Sequence, residues 1–181
     1  SIYNHLNLKI NKNGKLINKK NISKDYRIPS KDICVEAVNA TAMLLKKRVI
    51  KKIKGWDENI YTYHEDIDLC LRLRKKNFQI IKTPKSIVHH VGFGSHTKKN
   101  KAKAEKSRNW HYSWTSLYFK QKHGSKIEFI IFFVRKVVKY FLKTILNCFI
   151  FRRKKTVLNF MRLRACINYL FIKKAGFRIK I

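Results

Sequence analysis

The chain has 181 residues, of which 43 are lysine or arginine and 10 are aspartate or glutamate, so its formal net charge is +33. Hydrophobic residues make up 45% of the chain, which excludes a disordered polycation, because such a chain cannot bury enough apolar surface to offset its ordering entropy. The charge predicts a polyanionic neighbour, which is nucleic acid, an anionic membrane face or a phosphate-bearing substrate.

Two features of the whole chain bear on its compartment and origin. None of the four cysteines forms a Cys-x-x-Cys pair, which disfavours a zinc knuckle, and we expect reduced thiols in a cytosolic compartment. The first residue is Ser1, and no signal-peptide pattern follows it. We therefore expect the chain to be a piece of a longer protein.

The N-terminal half begins with thirty polar residues that are rich in asparagine and lysine. The turn signal Asn13-Gly14 there predicts loops with a short hairpin. The apolar run 42–45 predicts a buried strand. A short helix is expected over residues 46–54, and residues 55–58 are typical of a turn.

The middle of the chain predicts a helix over residues 66–76. Thr62 and Glu65 have the spacing of a capping box, and acidic residues in the first turn with basic residues in the last complement the helix dipole. Residues 78–81 and 87–88 are strand candidates. We expect the charged stretch 97–107 to be mobile.

Residues 126–151 are the most apolar stretch, but charged residues interrupt it, which argues against a plain transmembrane span. On a helical wheel these charges share an arc of roughly a quarter turn. They are Glu128, Arg135, Lys136, Lys139 and Lys143. Residues 156–175 repeat the pattern. Two interpretations stay open: a surface helix pair that covers the core, and an interfacial helix on an anionic inner leaflet.

The strongest chemical signal is the run Glu65-Asp66-Ile67-Asp68, which holds three of the 10 acidic residues of the chain. At the opening of a helix, Glu65 and Asp68 share a face while Asp66 points elsewhere. Taken alone, the run is also what a helix N-terminus favours, because the dipole stabilises acidic residues there. The surrounding motifs therefore decide how it is interpreted.

Motifs in a fixed order around this run resemble family 2 glycosyltransferases, which include bacterial rhamnosyltransferase-like enzymes of cell-surface polysaccharide synthesis. The motifs are VNATAMLL at 38–45, GWDE at 55–58, YHEDIDLCLRLR at 63–74, and Pro84 followed by HVG at 90–92. The resemblance is strongest over residues 35–96 and extends more weakly to residue 125.

The resemblance implies an α/β fold, namely the C-terminal part of a GT-A fold followed by amphipathic helices. In such an open sheet, donor and acceptor meet at the carboxyl ends of the strands. We expect residues 1–125 to be the acceptor-side part of the catalytic domain and residues 126–181 to be a basic amphipathic helical tail. The family's donor-binding half, with its Asp-x-Asp metal motif, has no counterpart before Glu65, so we expect this chain to be inactive alone.

The resemblance also implies an inverting transfer, in which an acceptor hydroxyl attacks the anomeric carbon of a nucleotide-diphospho-sugar and a nucleoside diphosphate leaves. Asp66 matches the base that accepts the hydroxyl proton, and Glu65 would orient the acceptor or hold Asp66. Trp56 and Asp57 match positions that line the acceptor pocket. Asp68 is assigned to substrate binding, with a structural helix role as its alternative.

A leaving diphosphate needs a hard divalent cation, Mg²⁺ or Mn²⁺, to neutralise the developing charge. Both ions favour oxygen ligands and tolerate an imidazole. His90 matches the family histidine that joins the metal or the pyrophosphate, and His89 is the fallback. The chain departs from the family at Ala40 and Lys54, where glycine is usual.

The implied partners are a nucleotide-sugar donor and a glycan or lipid-linked acceptor of the cell envelope. We expect the protein to be cytoplasmic and peripheral on the inner face of the cell membrane, held there by its anionic lipid surface. A basic nucleic-acid-binding protein is the alternative, because the charge is accompanied by interleaved aromatic residues. Against it, the basic residues are spread along the whole chain without a recognisable nucleic-acid-binding signature, and we expect no specific nucleic acid partner.

Overall fold

The structure is a computed structural model that describes residues 9–10, 16–17, 30–88, 100–171 and 175. It divides into two compact units, which are residues 1–57 with 65–92 and residues 58–64 with 93–181. The boundary at residue 125 comes from the resemblance and stays a prediction. The described residues are mostly helical and their strands are two or three residues long, so the open GT-A sheet also stays a prediction.

Two short antiparallel strand pairs lie in the first unit. Strands β1 (Lys9–Ile10) and β2 (Leu16–Ile17) pair across the Asn13-Gly14 turn signal, which confirms the hairpin. Strands β3 (Ile33–Val35) and β4 (Ile80–Lys82) form the other pair, with β4 slightly later than the 78–81 prediction.

The strand predicted over residues 42–45 is wrong, because this segment has no regular secondary structure. Leu44 is 100% exposed, although Met43 and Leu45 pack against apolar residues of the first unit. The strand candidate at 87–88 is also irregular and exposed. An apolar run forms a strand only where a neighbouring strand pairs with it, and the described residues place none beside these two segments.

The described part of the first unit also contains two helices, and both confirm their predictions. They are α1 (Lys47–Lys52) and α2 (Glu65–Lys75), with three acidic residues in the first turn of α2 and basic residues in its last. Because α2 begins at Glu65, Thr62 does not occupy the capping position. Two residues after the end of α2, Asn77 has a φ of 61°, and the Phe78 N–H donates to the carbonyl oxygen of Leu73 at 3.1 Å, which closes the last turn of the helix.

Apolar clusters hold α2 inside the first unit. One joins Cys70 to Ala37 and Ile80, beside β3 and β4. Another joins Leu69 and Leu73 to Ile53, which directly follows α1. With the helix packed on both of these sides, its first turn is held in a fixed position by buried neighbours, and this turn carries the acidic run.

The described part of the second unit contains three helices that pack on one another, α3 (Lys101–His123), α4 (Lys126–Phe149) and α5 (Arg153–Tyr169). The expectation that residues 97–107 are mobile is wrong for 101–107, which form the first turns of α3. Further along α3, Trp110 and Trp114 are fully buried in a cluster with Met161 and Ala165 of α5. This packing outweighs the local repulsion between lysines.

The two C-terminal helices confirm the apolar pattern of the sequence. Ser125 caps α4 by accepting a hydrogen bond from the Glu128 N–H at 3.3 Å. The inner face of α4 buries Tyr140 against Leu117 of α3 and Cys166 of α5. Within the described ranges, no helix combines the length and apolar character needed to cross a membrane.

Candidate functional site

Asp66, the predicted catalytic base, lies in the first turn of α2 and is only 7% exposed. Its Oδ1 accepts a hydrogen bond from the Ile67 N–H at 2.8 Å, and the Ala40 N–H also hydrogen-bonds this carboxylate. Burial raises the pKa of Asp66 above its ordinary value of 3.8, while these backbone donors oppose the rise. A raised pKa makes the carboxylate a stronger proton acceptor.

The segment around Ala40 lies along the same side of α2. The Cys70 thiol, one turn after Asp66, donates to the carbonyl oxygen of Val38 at 3.8 Å. The Asn39 side chain accepts a hydrogen bond from the Thr41 N–H at 2.9 Å and so bends the chain at Ala40. Ala40 stands where the glycosyltransferases that the sequence resembles usually have glycine, and the structure places this backbone against the candidate base.

Glu65 is half-buried, and its Oε2 atom is buried without a hydrogen-bond partner among the described residues. Burial raises the pKa of Glu65, the charge of Asp66 raises it further, and a backbone hydrogen bond opposes both. A buried carboxylate oxygen without a hydrogen-bond donor destabilises the fold. A hydroxyl group or a cation that contacts this atom would therefore be stabilising.

The two residues before α2, which belong to the second unit, have a strained backbone. Tyr63 and His64 have φ values of 65° and 64°, in the left-handed region that bulky residues rarely adopt. The His64 ring lies 5.5 Å from that of Tyr112 and 5.4 Å from that of Phe119. Burial, with the charge of Lys136, lowers the pKa of His64 to about 4, so its ring is neutral at pH 7. Strain of this kind often accompanies a functional site.

Asp68 is fully buried and forms an ion pair with Arg72 at 2.7 Å. The Nη1 atom of Arg72 also donates to the carbonyl oxygens of Ile53 at 2.6 Å and Gly55 at 2.7 Å. Asp68 therefore fixes the turn that follows α1 by holding the arginine that binds it. Its substrate-binding role stays a prediction, and its structural role is visible.

The turn held by Arg72 positions the two predicted acceptor-binding residues. Lys54 and Gly55 have φ values of 59° and 68°, which explains why glycine is favoured at both positions. Trp56 follows with 42% of its surface exposed, and Asp57 is half-buried. The exposed indole presents an apolar face of the kind that stacks on a sugar ring.

The metal prediction rests on residues that the structure does not describe, because His89 and His90 lie outside the described ranges. Within those ranges, no group of three or more His, Cys, Asp or Glu residues has the arrangement of a metal site. The Oε2 atom of Glu65 is a suitable hard ligand for Mg²⁺ or Mn²⁺, but a single oxygen does not form a site. The described donor set therefore does not fit a bound metal ion.

Helix α2 thus carries or positions most of the predicted site residues. Glu65 and Asp66 occupy its first turn, and Arg72 on the same helix holds the turn that leads into Trp56 and Asp57. The motifs in the sequence pointed neither to the hydrogen bonds of Arg72 nor to the strained backbone at His64. The i,i+4 spacing of Asp68 and Arg72 is a signal from which their ion pair is predictable, whereas the backbone strain at His64 leaves no signal in the sequence.

Comparison with known proteins shows a likeness between half of the chain and a rhamnosyltransferase. No protein-family model matches the chain, and no solved structure matches it. Rhamnosyltransferase WbbL from Escherichia coli (strain K12) is 29% identical to this chain over 91 residues, which are 50% of this chain and 33% of that protein. The chain therefore spans about a third of the length of the curated relative that it matches. This likeness supports a relation to glycosyltransferases.

Proposed function

We propose that the first unit supplies the acceptor-side catalytic residues of an inverting glycosyltransferase. The observation that carries the proposal is the buried carboxylate of Asp66, with its raised pKa, at the start of α2. The partial likeness to a rhamnosyltransferase supports the reaction class. The donor would be a nucleotide-diphospho-sugar, and the acceptor a hydroxyl of a cell-envelope glycan or a lipid-linked sugar at the cytoplasmic face of the membrane.

In the proposed reaction, the acceptor oxygen forms a bond to the anomeric carbon while the bond from that carbon to the diphosphate oxygen breaks. The Asp66 carboxylate accepts the proton of the attacking hydroxyl. General-base catalysis of this kind contributes about 10²–10⁴ to the rate. The N–H groups of Ala40 and Ile67 hold the carboxylate in one orientation, so that the proton acceptor is fixed before the substrate binds.

The neighbouring residues have supporting roles. The unpartnered Oε2 atom of Glu65 accepts a hydrogen bond from a second hydroxyl group of the acceptor sugar and so orients that sugar. Trp56 stacks on the acceptor ring, and Asp57 binds a ring hydroxyl. Asp68 is a positioning residue that acts through Arg72 on the turn before Trp56. A role for His90 as a ligand of Mg²⁺ or Mn²⁺ remains part of the proposal, on sequence grounds alone.

The test uses the protein encoded by the complete reading frame that contains this chain. Transfer of labelled sugar is measured from a panel of nucleotide-diphospho-sugars to membrane extracts and lipid-linked acceptors. Asp66→Asn should lower kcat by about 10²–10⁴ and leave donor affinity unchanged. Asp32→Asn is the matched control, because Asp32 is an exposed carboxylate of the same unit.

Two results would contradict the proposal. Turnover by Asp66→Asn within a few-fold of the control would remove the general base. Absence of transfer by the unmodified protein, together with an affinity for DNA or RNA that survives physiological salt, would favour the nucleic-acid-binding alternative.

A further inference from the structure

The outer face of α4 is an exposed apolar stripe that runs the length of the helix. At 100° per residue its members lie within an arc of about 120°. They include Ile127, Val134, Val138, Leu142 and Phe149, all of which are about half exposed or more. The opposite face, which carries Phe129, Phe133 and Tyr140, packs on α3 and α5. The exposed stripe therefore takes no part in the packing of α4 against α3 and α5.

The turn after α4 extends this surface with a strained aromatic residue. The Phe151 N–H donates to the Cys148 carbonyl oxygen at 3.0 Å, and the Arg152 N–H donates to that of Asn147 at 2.9 Å. Helices that end in this way usually have glycine at the left-handed position, yet here Phe151 occupies it with a φ of 54°. The residue is 88% exposed. Both the strain and the exposure disfavour this residue in water.

Positive charge borders the apolar surface. Arg135, Lys139 and Lys143 are exposed along one edge of the stripe, and residues 152–155, which read RRKK, follow directly after Phe151 and are exposed as well. Glu128 is the one acidic residue of α4, and it is paired with Lys120 at 2.9 Å. The partner of this face must therefore accept apolar side chains and supply negative charge together.

Three classes of partner can be compared on these grounds. A second copy of the chain would bring the same positive edge and repel it. Nucleic acid would match the charge but would leave the stripe and Phe151 without an apolar environment. An anionic bilayer supplies hydrocarbon for the rings and phosphates for the lysine and arginine side chains at the same boundary.

We propose that α4 and the turn at residues 149–151 dock on an anionic lipid bilayer. The helix lies in the interface, with its apolar stripe in the acyl boundary and its basic edge at the phosphates. This inference goes beyond the proposed catalytic function, since it concerns residues of the second unit and its test requires no turnover.

The test is flotation of the full chain with phosphatidylcholine vesicles, with and without phosphatidylglycerol, at physiological and at high salt. The chain should float with the anionic vesicles, and a residual fraction should stay bound at high salt because the apolar contact is not screened. Complete release at high salt would reduce the binding to general attraction of a polycation and overturn the proposal.

Apolar variants separate membrane binding from folding. Phe151→Gly removes the ring and relieves the left-handed backbone, so the unfolding midpoint should stay or rise while vesicle affinity falls about tenfold. The double variant Val138→Asn and Leu142→Asn should also weaken binding by at least this factor. Leu44→Asn, at a fully exposed position of the first unit, is the matched control and should bind as the unmodified chain does.

Charge variants test the basic edge. Replacing Arg135, Lys139 and Lys143 by glutamine should weaken binding about fivefold for each residue and about a hundredfold together. The matched control removes the same charges from exposed positions of the first unit by replacing Arg48, Lys51 and Lys75 with glutamine. Equal losses in the two triple variants would overturn the proposal. So would a dimer, measured by light scattering, that Val138→Asn dissociates, because the stripe would then belong to a second copy.

Discussion

Helices α2 and α4 depart from ordinary surface chemistry in opposite directions. The first turn of α2 buries two carboxylates, Asp66 and Asp68, in a chain that has few acidic residues. The outer face of α4 exposes a row of large apolar side chains although the chain has a strong positive charge. Buried charges and contiguous exposed apolar side chains are the two kinds of deviation that carry information about function.

The two buried carboxylates of α2 also differ from each other, which shows that burial alone does not mark a catalytic residue. Asp68 has a cation as its partner and no exposed surface, so its charge is used within the fold. Asp66 is held by backbone N–H groups, and burial raises its pKa. The carboxylate without a neutralising cation among its described contacts is the better candidate for chemistry.

The largest expected effect on stability comes from breaking the ion pair of α2. Asp68→Asn leaves Arg72 with its carbonyl partners but without a neutralising charge, and removal of one partner of a buried pair costs about 3–5 kcal/mol. We expect urea unfolding, followed by tryptophan fluorescence, to show a loss of this size. Asp32→Asn is the matched control at an exposed carboxylate. A loss below about 0.5 kcal/mol would assign no structural role to the pair.

A smaller effect, of opposite sign, is expected at the buried cation of α4. Lys136 donates to the Ser116 hydroxyl, and its Nζ atom lies 5.0 Å from the centre of the Phe132 ring. Burial, with the charges of Lys139 and Arg162, lowers the pKa of Lys136 from 10.5 to about 8. At 1.36 kcal/mol per pKa unit, the charged form costs at most about 3.4 kcal/mol, and the hydrogen bond is lost on substitution. Lys136→Met should therefore stabilise the fold at pH 7 by about 1–3 kcal/mol.

The pH dependence gives this prediction a sign that a packing effect would not have. Between pH 8 and 10.5, Lys136 binds more protons in the unfolded chain than in the folded chain, so the unmodified protein gains stability relative to Lys136→Met as pH rises. The gap between the two proteins should be widest at pH 7 and should close toward pH 10.5. Lys51→Met, at an exposed lysine of α1, is the matched control for the removal of a lysine.

The smallest expected effect concerns the turn that α2 holds through Arg72. Lys54 is exposed and has a φ of 59°, so Lys54→Gly should stabilise the fold by about 1 kcal/mol through relief of backbone strain. Lys51→Gly, inside α1, should instead destabilise it by a similar amount. Thermal unfolding followed by circular dichroism compares the two. A lower midpoint for Lys54→Gly than for the unmodified chain would contradict this account of the turn.

The helices could be predicted from the sequence where their own pattern decides the structure. The charge order of α2 and the apolar period of α4 are local signals, and both helices were predicted close to their observed bounds. Helix α3 was not predicted, because its lysine-rich first turns suggested a mobile stretch although tryptophans further along the helix hold them. The prediction of a strand at 42–45 was wrong because a strand depends on a pairing neighbour that a single segment does not specify.

The candidate site could be predicted in its residue types but not in its connections. The resemblance pointed to Glu65, Asp66 and Trp56, and the structure places the first two in one turn of helix. The hydrogen bonds from Ala40 to Asp66 and from Arg72 to Gly55 join residues that are distant in sequence. They could therefore be identified only from the folded structure. The resemblance already indicated glycine at position 54, but the physical reason for it became clear only from the backbone φ.

The most direct test of the central claim is the pKa of Asp66, measured from its carboxyl carbon chemical shift against pH and assigned by comparison with Asp66→Asn. The account predicts a midpoint above the ordinary value of 3.8, because burial outweighs the backbone donors. A midpoint at or below 3.8 would show a carboxylate stabilised in its charged form, poorly suited to accept a proton, and would contradict its assignment as the general base.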